Sequence, residues 1–468
     1  MVRVSAKPTD YCISEFGYLY DGEIEDPNHK AVGIPHSAFE YLEQCLAAQE
    51  ARLDTEFDEN IDVFLRYRIH KRRKAIQVRN YVGILQTPCG TRIEILPKIF
   101  TNPESSESLQ ATRFVLIKML RCLRDSPFKS AGHANIADAK MPLLEVYISQ
   151  FLNLVNQLVK RGIRSDYIQV KKNAKFLKGR LLLSQQIRKN AFHQERFYIE
   201  YQEYQVNRPA NRLIKTALTT VAKKTINAKN QRLARELGFV FEEVPMSVDV
   251  DLDFKLVRAD RSMGYYKEVL AWCQLLLKGH GPTTTKGDFR TLSLLYPMEQ
   301  LFEDYVAHHL PKQLDQFIAE GVVLKTQARS EYLIKEHKGK RLFNMKPDLV
   351  AMKGKEVVCV MDTKWKLLAT QDEINKYGIS QTDLYQLYAY GHKYLKNALQ
   401  KELILIYPMT KAFNQPLADF LYEEGFRLRV VPFDLENSSI IMHKQNERNN
   451  SITTIKKQAS VTFDELII

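Results

Sequence analysis

Two aspartates and a lysine stand at the open end of a predicted β-hairpin. Asp348 precedes an apolar run, Leu349–Met352, and a β-branched run, Val357–Met361, leads into Asp362. The intervening Lys353-Gly354-Lys355 is typical of a tight turn, so the pattern predicts two antiparallel strands. The hairpin therefore brings two carboxylates, distant in sequence, to the same end of a sheet.

The turn also fixes a predicted register. If Gly354 and Lys355 are the turn residues, Lys353 faces Glu356, and counting outward places Asp348 opposite Met361. Asp362 is the next residue along the second strand. The two carboxylates are thus expected to be neighbours.

A lysine is expected beside these carboxylates. Side chains two apart on a strand share a face, so Lys364 should point with Asp362 while Thr363 points away. Mg²⁺ or Mn²⁺ prefers oxygen ligands and is usually held by one or two carboxylates and substrate phosphate. A lysine nearby can orient water or offset developing negative charge. The pattern predicts metal-dependent phosphodiester hydrolysis; the alternative is a solvated hairpin end with ordinary charges.

Amphipathic helices are predicted on both sides of the hairpin. The upstream helix begins near Pro297 and carries Glu299 and Glu303 one turn apart, so either carboxylate could face the metal end. The downstream helix near 381–396 has Gln386, Tyr390 and Lys393 on one stripe, which could contact a phosphate backbone or be solvated. An apolar strand at 403–408 completes the order helix, hairpin, helix, strand.

This order of a helix glutamate, Pro-Asp, Asp-x-Lys and Gln-x-x-x-Tyr resembles the PD-(D/E)xK nuclease core. More narrowly, the chain resembles McrC, the nuclease subunit of modification-dependent McrBC restriction systems. The phrases that carry this resemblance lie in the family's order; they are NYVGILQTPCGTRIEILPKI, FLKGRLLLSQQIRKN, YQVNRPANRLIKTAL, PMEQLFEDYV, KPDLV, MDTKWK and TDLYQLYAY. Trp365 stands where a smaller aromatic residue is expected.

The resemblance implies a role for each matching residue. Asp348, Asp362 and the Thr363 carbonyl would hold Mg²⁺ or Mn²⁺, and Lys364 would position or activate the attacking water. Glu303 would be the first-helix carboxylate, whereas Gln386 and Tyr390 would contact DNA. The resemblance also implies an McrB-like AAA+ GTPase hexamer as partner, docked by the N-terminal part.

Positive charge is concentrated in one segment. Residues 160–235 hold 19 Lys and Arg against four acids, whereas the whole chain has a net charge of +13. Such a segment is expected to contact DNA phosphates or a negatively charged subunit, although a lysine-rich solvated surface is the alternative. The candidate DNA contacts, including one beside the hairpin, are Lys171, Lys172, Lys178, Arg180 and Lys366.

Composition excludes several other classes. The 468 residues contain no apolar run long enough to span a bilayer and no signal-peptide core, which predicts a cytoplasmic protein without membrane contact. The six cysteines are scattered without a CxxC pair, which argues against zinc or disulfide frameworks. The sequence has no Walker phosphate loop, so any nucleotide should be bound by the partner.

We therefore predict an α+β multidomain protein. Its expected parts are a β-rich N-terminal domain (1–105), a basic, mainly helical middle region (106–285), an α/β PD-(D/E)xK restriction-endonuclease-like domain (286–435) and a polar C-terminal extension (436–468). The functional hypothesis is a Mg²⁺-dependent DNA endonuclease subunit activated by an AAA+ GTPase. Three alternatives remain: a stand-alone or differently partnered nuclease, a non-catalytic DNA-binding scaffold, and an RNA-acting nuclease.

Overall fold

A computed structural model describes most of the chain. The described residues are 10–24, 30–53, 64–99, 106–124, 127–130, 140–257, 261–280, 293–318 and 320–442. The segments 100–105 and 281–292, at the two borders of the middle region, and the part of the predicted C-terminal extension beyond residue 442 lie outside these residues.

The N-terminal part is built from two small sheets and one long helix. One sheet has the order β3-β2-β5-β4 and the other β1-β7-β6-β11. The strands are β1 (Asp10–Ser14), β2 (Tyr18–Asp21), β3 (Ala31–Ile34), β4 (Leu65–His70), β5 (Arg73–Val78), β6 (Tyr81–Gln86), β7 (Arg92–Leu96) and β11 (Ser293–Pro297), and the helix is α1 (His36–Leu53). Strand β11 follows the middle region in sequence, yet it pairs antiparallel with β6. The N-terminal sheet therefore runs directly into the helix that follows β11.

The middle part is mainly helical and also contains a sheet that the sequence pattern did not predict. Its helices are α2 (Ser106–Cys122), α3 (Leu143–Arg161), α4 (Leu183–Asn190), α5 (Pro209–Lys224), α6 (Ala228–Val240), α7 (Val250–Leu256) and α8 (Lys267–Lys278). The sheet has the order β8-β10-β9, formed by β8 (Asp166–Ala174), β9 (Arg180–Leu181) and β10 (Phe197–Gln205). Part of the basic segment, including Lys171, Lys172 and Arg180, thus lies on strands.

The C-terminal part is organised around a seven-stranded mixed sheet. Its strands follow the order β12-β15-β16-β17-β19-β18, with β20 paired to β19. They are β12 (Val322–Thr326), β15 (Leu349–Lys353), β16 (Glu356–Thr363), β17 (Lys401–Pro408), β18 (Phe420–Leu421), β19 (Phe426–Asp434) and β20 (Ser439–Ile440). A separate hairpin pairs β13 (Tyr332–His337) with β14 (Lys340–Asn344), and the helices are α9 (Met298–His309), α10 (Leu314–Phe317) and α11 (Gln381–Tyr394). The predicted helix, hairpin, helix and strand are confirmed.

Strand β16 is buried on both faces, which explains its continuous apolar sequence. Met361 belongs to the core that includes Phe302 of α9, whereas Val360 belongs to the core that includes Leu387 of α11. Successive side chains of β16 thus point toward the two helices in turn. Because Asp362 follows Met361, its side chain leaves the strand on the α11 side.

Candidate active site

The β15–β16 hairpin has the predicted turn but a different register. Lys353 pairs with Glu356 as expected, and Gly354 occupies the left-handed region with φ +61°. However, Leu349 rather than Asp348 pairs with Met361. The cause is a β-bulge in which one extra residue of β16, Val358, lies between the partners of Ala351 and Met352. The bulge corrects the predicted register by one residue and brings Asp348 level with Asp362.

Asp348 is held by the opposite strand. Its Oδ2 accepts hydrogen bonds from the Thr363 amide at 2.8 Å and from the Thr363 hydroxyl Oγ1 at 2.7 Å. Two donors on one oxygen fix the carboxylate and leave its other oxygen available for a ligand. The side chain of Thr363 thus orients Asp348, a role that the sequence argument did not include.

Lys364 lies between Asp362 and α11. Its ammonium Nζ is 2.5 Å from Oδ2 of Asp362 and donates to Oε1 of Gln386 at 3.2 Å. Gln386 in turn donates from Nε2 to the Tyr390 hydroxyl at 2.9 Å. The expectation that Lys364 points with Asp362 is confirmed. The Gln-x-x-x-Tyr element lies directly against the lysine.

Glu303 is the α9 carboxylate on the same side of the structure as Asp348. It accepts a hydrogen bond from the side-chain Nε2 of Gln327 at 3.1 Å. The backbone N–H of Gln327 donates to the backbone carbonyl of Asp348 at 2.8 Å. Glu299 is exposed, and its charge acts on Glu15 instead. Of the two candidate glutamates, Glu303 is therefore the one associated with Asp348.

Sequence reasoning missed a cation beside Glu303. Arg124, just beyond α2, contacts Glu303 Oε1 at 3.4 Å and makes a 2.7 Å ion pair through Nε with Oδ1 of the buried Asp304. About 180 residues separate Arg124 from both acidic residues in sequence, and no local pattern marks Arg124. Only the packing of α2 against α9 brings them together.

Burial and the charge of Asp348 disfavour the ionised forms of the carboxyl groups in this site. Burial raises the pKa of Asp362 to about 7, with a further contribution from the charge of Asp348. Burial also raises the pKa of Glu303 to about 7, again with a contribution from Asp348. The pKa of Asp348 is raised by burial, although the hydrogen bonds from Thr363 oppose the change. Burial is thus the main reason that all three carboxyl groups hold their protons more tightly than they would in water.

This donor set fits a divalent cation. Asp348, which is partly buried, and Asp362, which is buried, are hard-oxygen donors at the ends of adjacent strands. Mg²⁺ or Mn²⁺ uses this arrangement when phosphate completes its coordination. A cation there would stabilise the ionised forms, which burial disfavours for both carboxyl groups and which the charge of Asp348 further disfavours for Asp362. The residues present thus match the predicted metal.

The remaining candidate DNA contacts lie in two places. Lys366 makes a 2.6 Å ion pair with Asp383 in the first turn of α11 and lies two residues beyond Lys364. The other four candidates lie on or directly beside the separate three-stranded sheet of the middle region. There Lys171 makes an ion pair with Glu200 at 3.1 Å, and Lys172 and Lys178 lie over the Tyr201 ring. Arg180 of β9 lies opposite Glu200 of β10. Their contact with DNA stays a prediction.

The fold and site define a mixed α/β protein whose central sheet ends in a partly buried cluster of carboxylates and a lysine. Residues 76–408 match the family model described as McrBC 5-methylcytosine restriction system component. The chain belongs to this family, which confirms the resemblance drawn from the sequence at the level of the family.

One similar solved structure supports this fold. A refined half-complex from a tetradecameric assembly of Thermococcus gammatolerans McrB AAA+ hexamers with bound McrC is similar, with a TM-score of 0.64 and 20% identity; the match covers 96% of this chain and 100% of that chain. The cryo-EM structure of the Thermococcus gammatolerans McrBC complex matches with a TM-score of 0.46 and 20% identity, over 65% of this chain and 88% of that chain. None of the curated proteins matches the sequence.

Every helix within the described residues is too short or too polar to cross a lipid bilayer.

Proposed function

We propose that this chain is the McrC-like nuclease subunit of an McrBC-type restriction system and cleaves DNA in a Mg²⁺-dependent reaction. One observation carries the proposal: the β15–β16 hairpin sets Asp348 beside Asp362, with Lys364 in contact with Asp362 and with α11. Membership of a restriction-system family supports the same reaction class.

Each residue of the cluster has its own role in the proposed phosphodiester hydrolysis. Asp348 and Asp362 would hold the cation, which supplies Lewis-acid stabilisation of the phosphate when bound. Thr363 fixes Asp348 through its amide and hydroxyl groups. In the reaction the oxygen of a water molecule forms a bond to phosphorus and gives up a proton to solvent. The bond from phosphorus to one ester oxygen breaks, and that oxygen takes up a proton from solvent.

Lys364 is placed to act on the water and the phosphate. Its ammonium is held from one side by Asp362 and from the other by Gln386, which Tyr390 supports. A fixed ammonium can donate a hydrogen bond to the attacking water and stabilise negative charge that develops on the phosphate oxygens. Glu303, hydrogen-bonded to Gln327, supplies a further acceptor on the α9 side.

The partner follows from the relatives. A similar solved structure contains McrB AAA+ hexamers with bound McrC. We propose that this chain likewise binds an AAA+ GTPase hexamer that recognises modified or specific DNA and controls cleavage. The sequence has no Walker phosphate loop, so we assign the nucleotide to the partner.

Plasmid cleavage tests the proposal. Wild type and Asp362→Ala are compared with Mg²⁺ on methylated and unmethylated DNA, with and without the AAA+ protein and GTP. Cleavage by wild type alone, and only with the partner, would support the whole proposal. Cleavage without the partner would instead support a stand-alone nuclease, and equal cutting by Asp362→Ala would reject the assigned site. The absence of cutting in every condition would favour a non-catalytic scaffold.

A further inference from the structure

The β13–β14 hairpin stands next to the candidate active site and was not among the sequence predictions. Its two ends lead directly into the cluster: Gln327 precedes β13, Asp348 follows β14, and the Gln327 amide donates to the Asp348 carbonyl at 2.8 Å. The Gln327 side chain also reaches Glu303. The hairpin is thus an insertion between two residues of the site.

Helix α11 fixes the hairpin in place. Lys393 Nζ donates to the Leu333 carbonyl at 2.9 Å, and the Tyr394 hydroxyl is 3.2 Å from the carbonyl oxygens of both Ala328 and Met345. The same helix carries Gln386 and Tyr390 one to two turns earlier. Hairpin and catalytic lysine are therefore positioned by one rigid element.

The hairpin has little core of its own. All residues of β13 except Tyr332 are exposed, and Phe343 of β14 is 70% exposed although it is a large apolar side chain. Phe343 also adopts a left-handed backbone with φ +57°, a conformation that is unfavourable for a bulky residue. Isolated two-stranded ribbons are marginally stable and need a partner surface.

The charge of the hairpin indicates the chemistry of that surface. Between its first and last residues it carries four basic side chains, Lys335, Lys338, Lys340 and Arg341, against the single acid Glu336. A strand of five or six residues extends about 17 Å, and the major groove of B-DNA, about 12 Å wide, accepts a two-stranded ribbon. Phosphate groups on both sides of the groove would pair with the basic side chains.

We propose that the β13–β14 hairpin is a DNA-binding arm that enters the major groove beside the scissile phosphate. This inference rests on the proposed nuclease function and deepens it by assigning how the duplex is held at the site. The arm is anchored by α11, and its basic turn contacts the DNA backbone.

The chain supplies a matched control for this idea. The arm turns at Lys338-Gly339-Lys340, and the β15–β16 hairpin turns at Lys353-Gly354-Lys355, so both turns present two lysines around a glycine with positive φ. The second turn lies at the end of its hairpin that is opposite Asp348 and Asp362. Removing the two lysines changes the net charge equally in both cases.

The test measures duplex binding by the full chain with Ca²⁺ in place of Mg²⁺, using fluorescence anisotropy of a labelled DNA duplex over a range of salt concentrations. Lys338→Ala with Lys340→Ala should weaken binding about tenfold and reduce the slope of log affinity against log salt by up to about two. Lys353→Ala with Lys355→Ala should stay within about twofold of wild type. Lys338→Arg with Lys340→Arg should restore binding.

Several outcomes would overturn the inference. Equal effects of the two lysine pairs, or no effect of Lys338→Ala with Lys340→Ala, would remove the arm from the DNA interface. A loss of binding confined to duplex RNA, or to the AAA+ partner with DNA binding retained, would assign the arm to another ligand. Asp362→Ala distinguishes the two proposals, because this variant should bind DNA normally but should not cleave it. Cleavage by Asp362→Ala would reject the assigned nuclease site and would leave the proposed DNA-binding arm unaffected.

Discussion

Trp365 donates its indole N–H to the carboxylate of Glu15, with an Nε1 to Oε1 distance of 2.6 Å, although 350 residues separate them in sequence. Trp365 follows the catalytic lysine candidate, and Glu15 follows the first strand of the N-terminal part. Both residues are buried, and the Trp365 ring also packs against Phe302 of α9. The end of the candidate active-site strand is thereby attached to the N-terminal sheet.

This contact predicts a loss of stability for Trp365→Phe. Phenylalanine keeps most of the packing but leaves the buried Glu15 Oε1 with the Lys98 backbone N–H, at 3.2 Å, as its remaining donor. A hydrogen bond to a charged group contributes about 1.5–3 kcal/mol. Chemical denaturation should show this loss in the free energy of unfolding. Trp365→Phe combined with Glu15→Gln should lose less than the sum of the two single changes, since the two residues interact directly. Strict additivity would contradict the contact.

The carboxylate pair predicts a separation of activity from stability. Asp348→Asn should reduce Mg²⁺-dependent cleavage by at least about a thousandfold, because a cation ligand loses its charge. Its unfolding midpoint should equal or exceed that of wild type, since the asparagine oxygen can still accept from Thr363 and one of the buried negative charges is removed. Asp419→Asn, at a partly exposed ion pair with Arg427, is the control and should cut normally. Normal cutting by Asp348→Asn would refute the assignment.

The chain of contacts from Lys364 to Tyr390 predicts graded effects on cleavage. Lys364→Ala should be the most severe change, because it removes the ammonium itself. Gln386→Ala should lower the cleavage rate about tenfold to a hundredfold by releasing the lysine, and Tyr390→Phe should have the smallest effect, since it removes only the support of Gln386. Single-turnover cleavage at saturating DNA measures the order. A reversed order, with Tyr390→Phe most severe, would show that the tyrosine acts directly.

Arg124 predicts a structural link between α2 and α9. Arg124→Ala should lower the free energy of unfolding by about 1–3 kcal/mol, because buried Asp304 loses its ion pair and Glu303 loses a nearby cation. Adding Asp304→Asn should recover part of the loss, since the uncompensated charge is then gone. Denaturant titration of the two variants measures both values. An unchanged unfolding free energy for Arg124→Ala would show that the pair contributes nothing.

Cys89 predicts a pH-dependent chemical reactivity. Burial raises the pKa of its thiol, but hydrogen bonds involving Thr87, Thr91 and Ser37 outweigh this and lower it to about 7. It is also the exposed member of the six cysteines. Its alkylation by iodoacetamide should therefore rise as pH increases through about 7 and then level off, since the thiolate is the nucleophile. Thr87→Val should shift this profile to higher pH, and peptide mass spectrometry can measure the alkylation. An unshifted profile would show that the hydrogen bond with Thr87 does not lower the pKa of Cys89.

The sequence by itself determined the local parts of the site. The run from Asp348 to Lys364 specifies two strands and a turn, and strand periodicity places Lys364 on the same face as Asp362. The apolar spacing of the flanking segments specifies helices α9 and α11 and the following strand. These features depend on neighbours within a few residues, which a pattern records.

Tertiary structure decided what the pattern could not record. The bulge at Val358 changed the register of Asp348, because pairing depends on how both strands twist and pack rather than on their lengths. Arg124 beside Glu303, and Glu15 beside Trp365, are contacts across about 180 and 350 residues that arise only when whole elements pack. The pairing of β11 with β6 is of the same kind, since strand partners are chosen by the assembled sheet and leave no local signature in either strand.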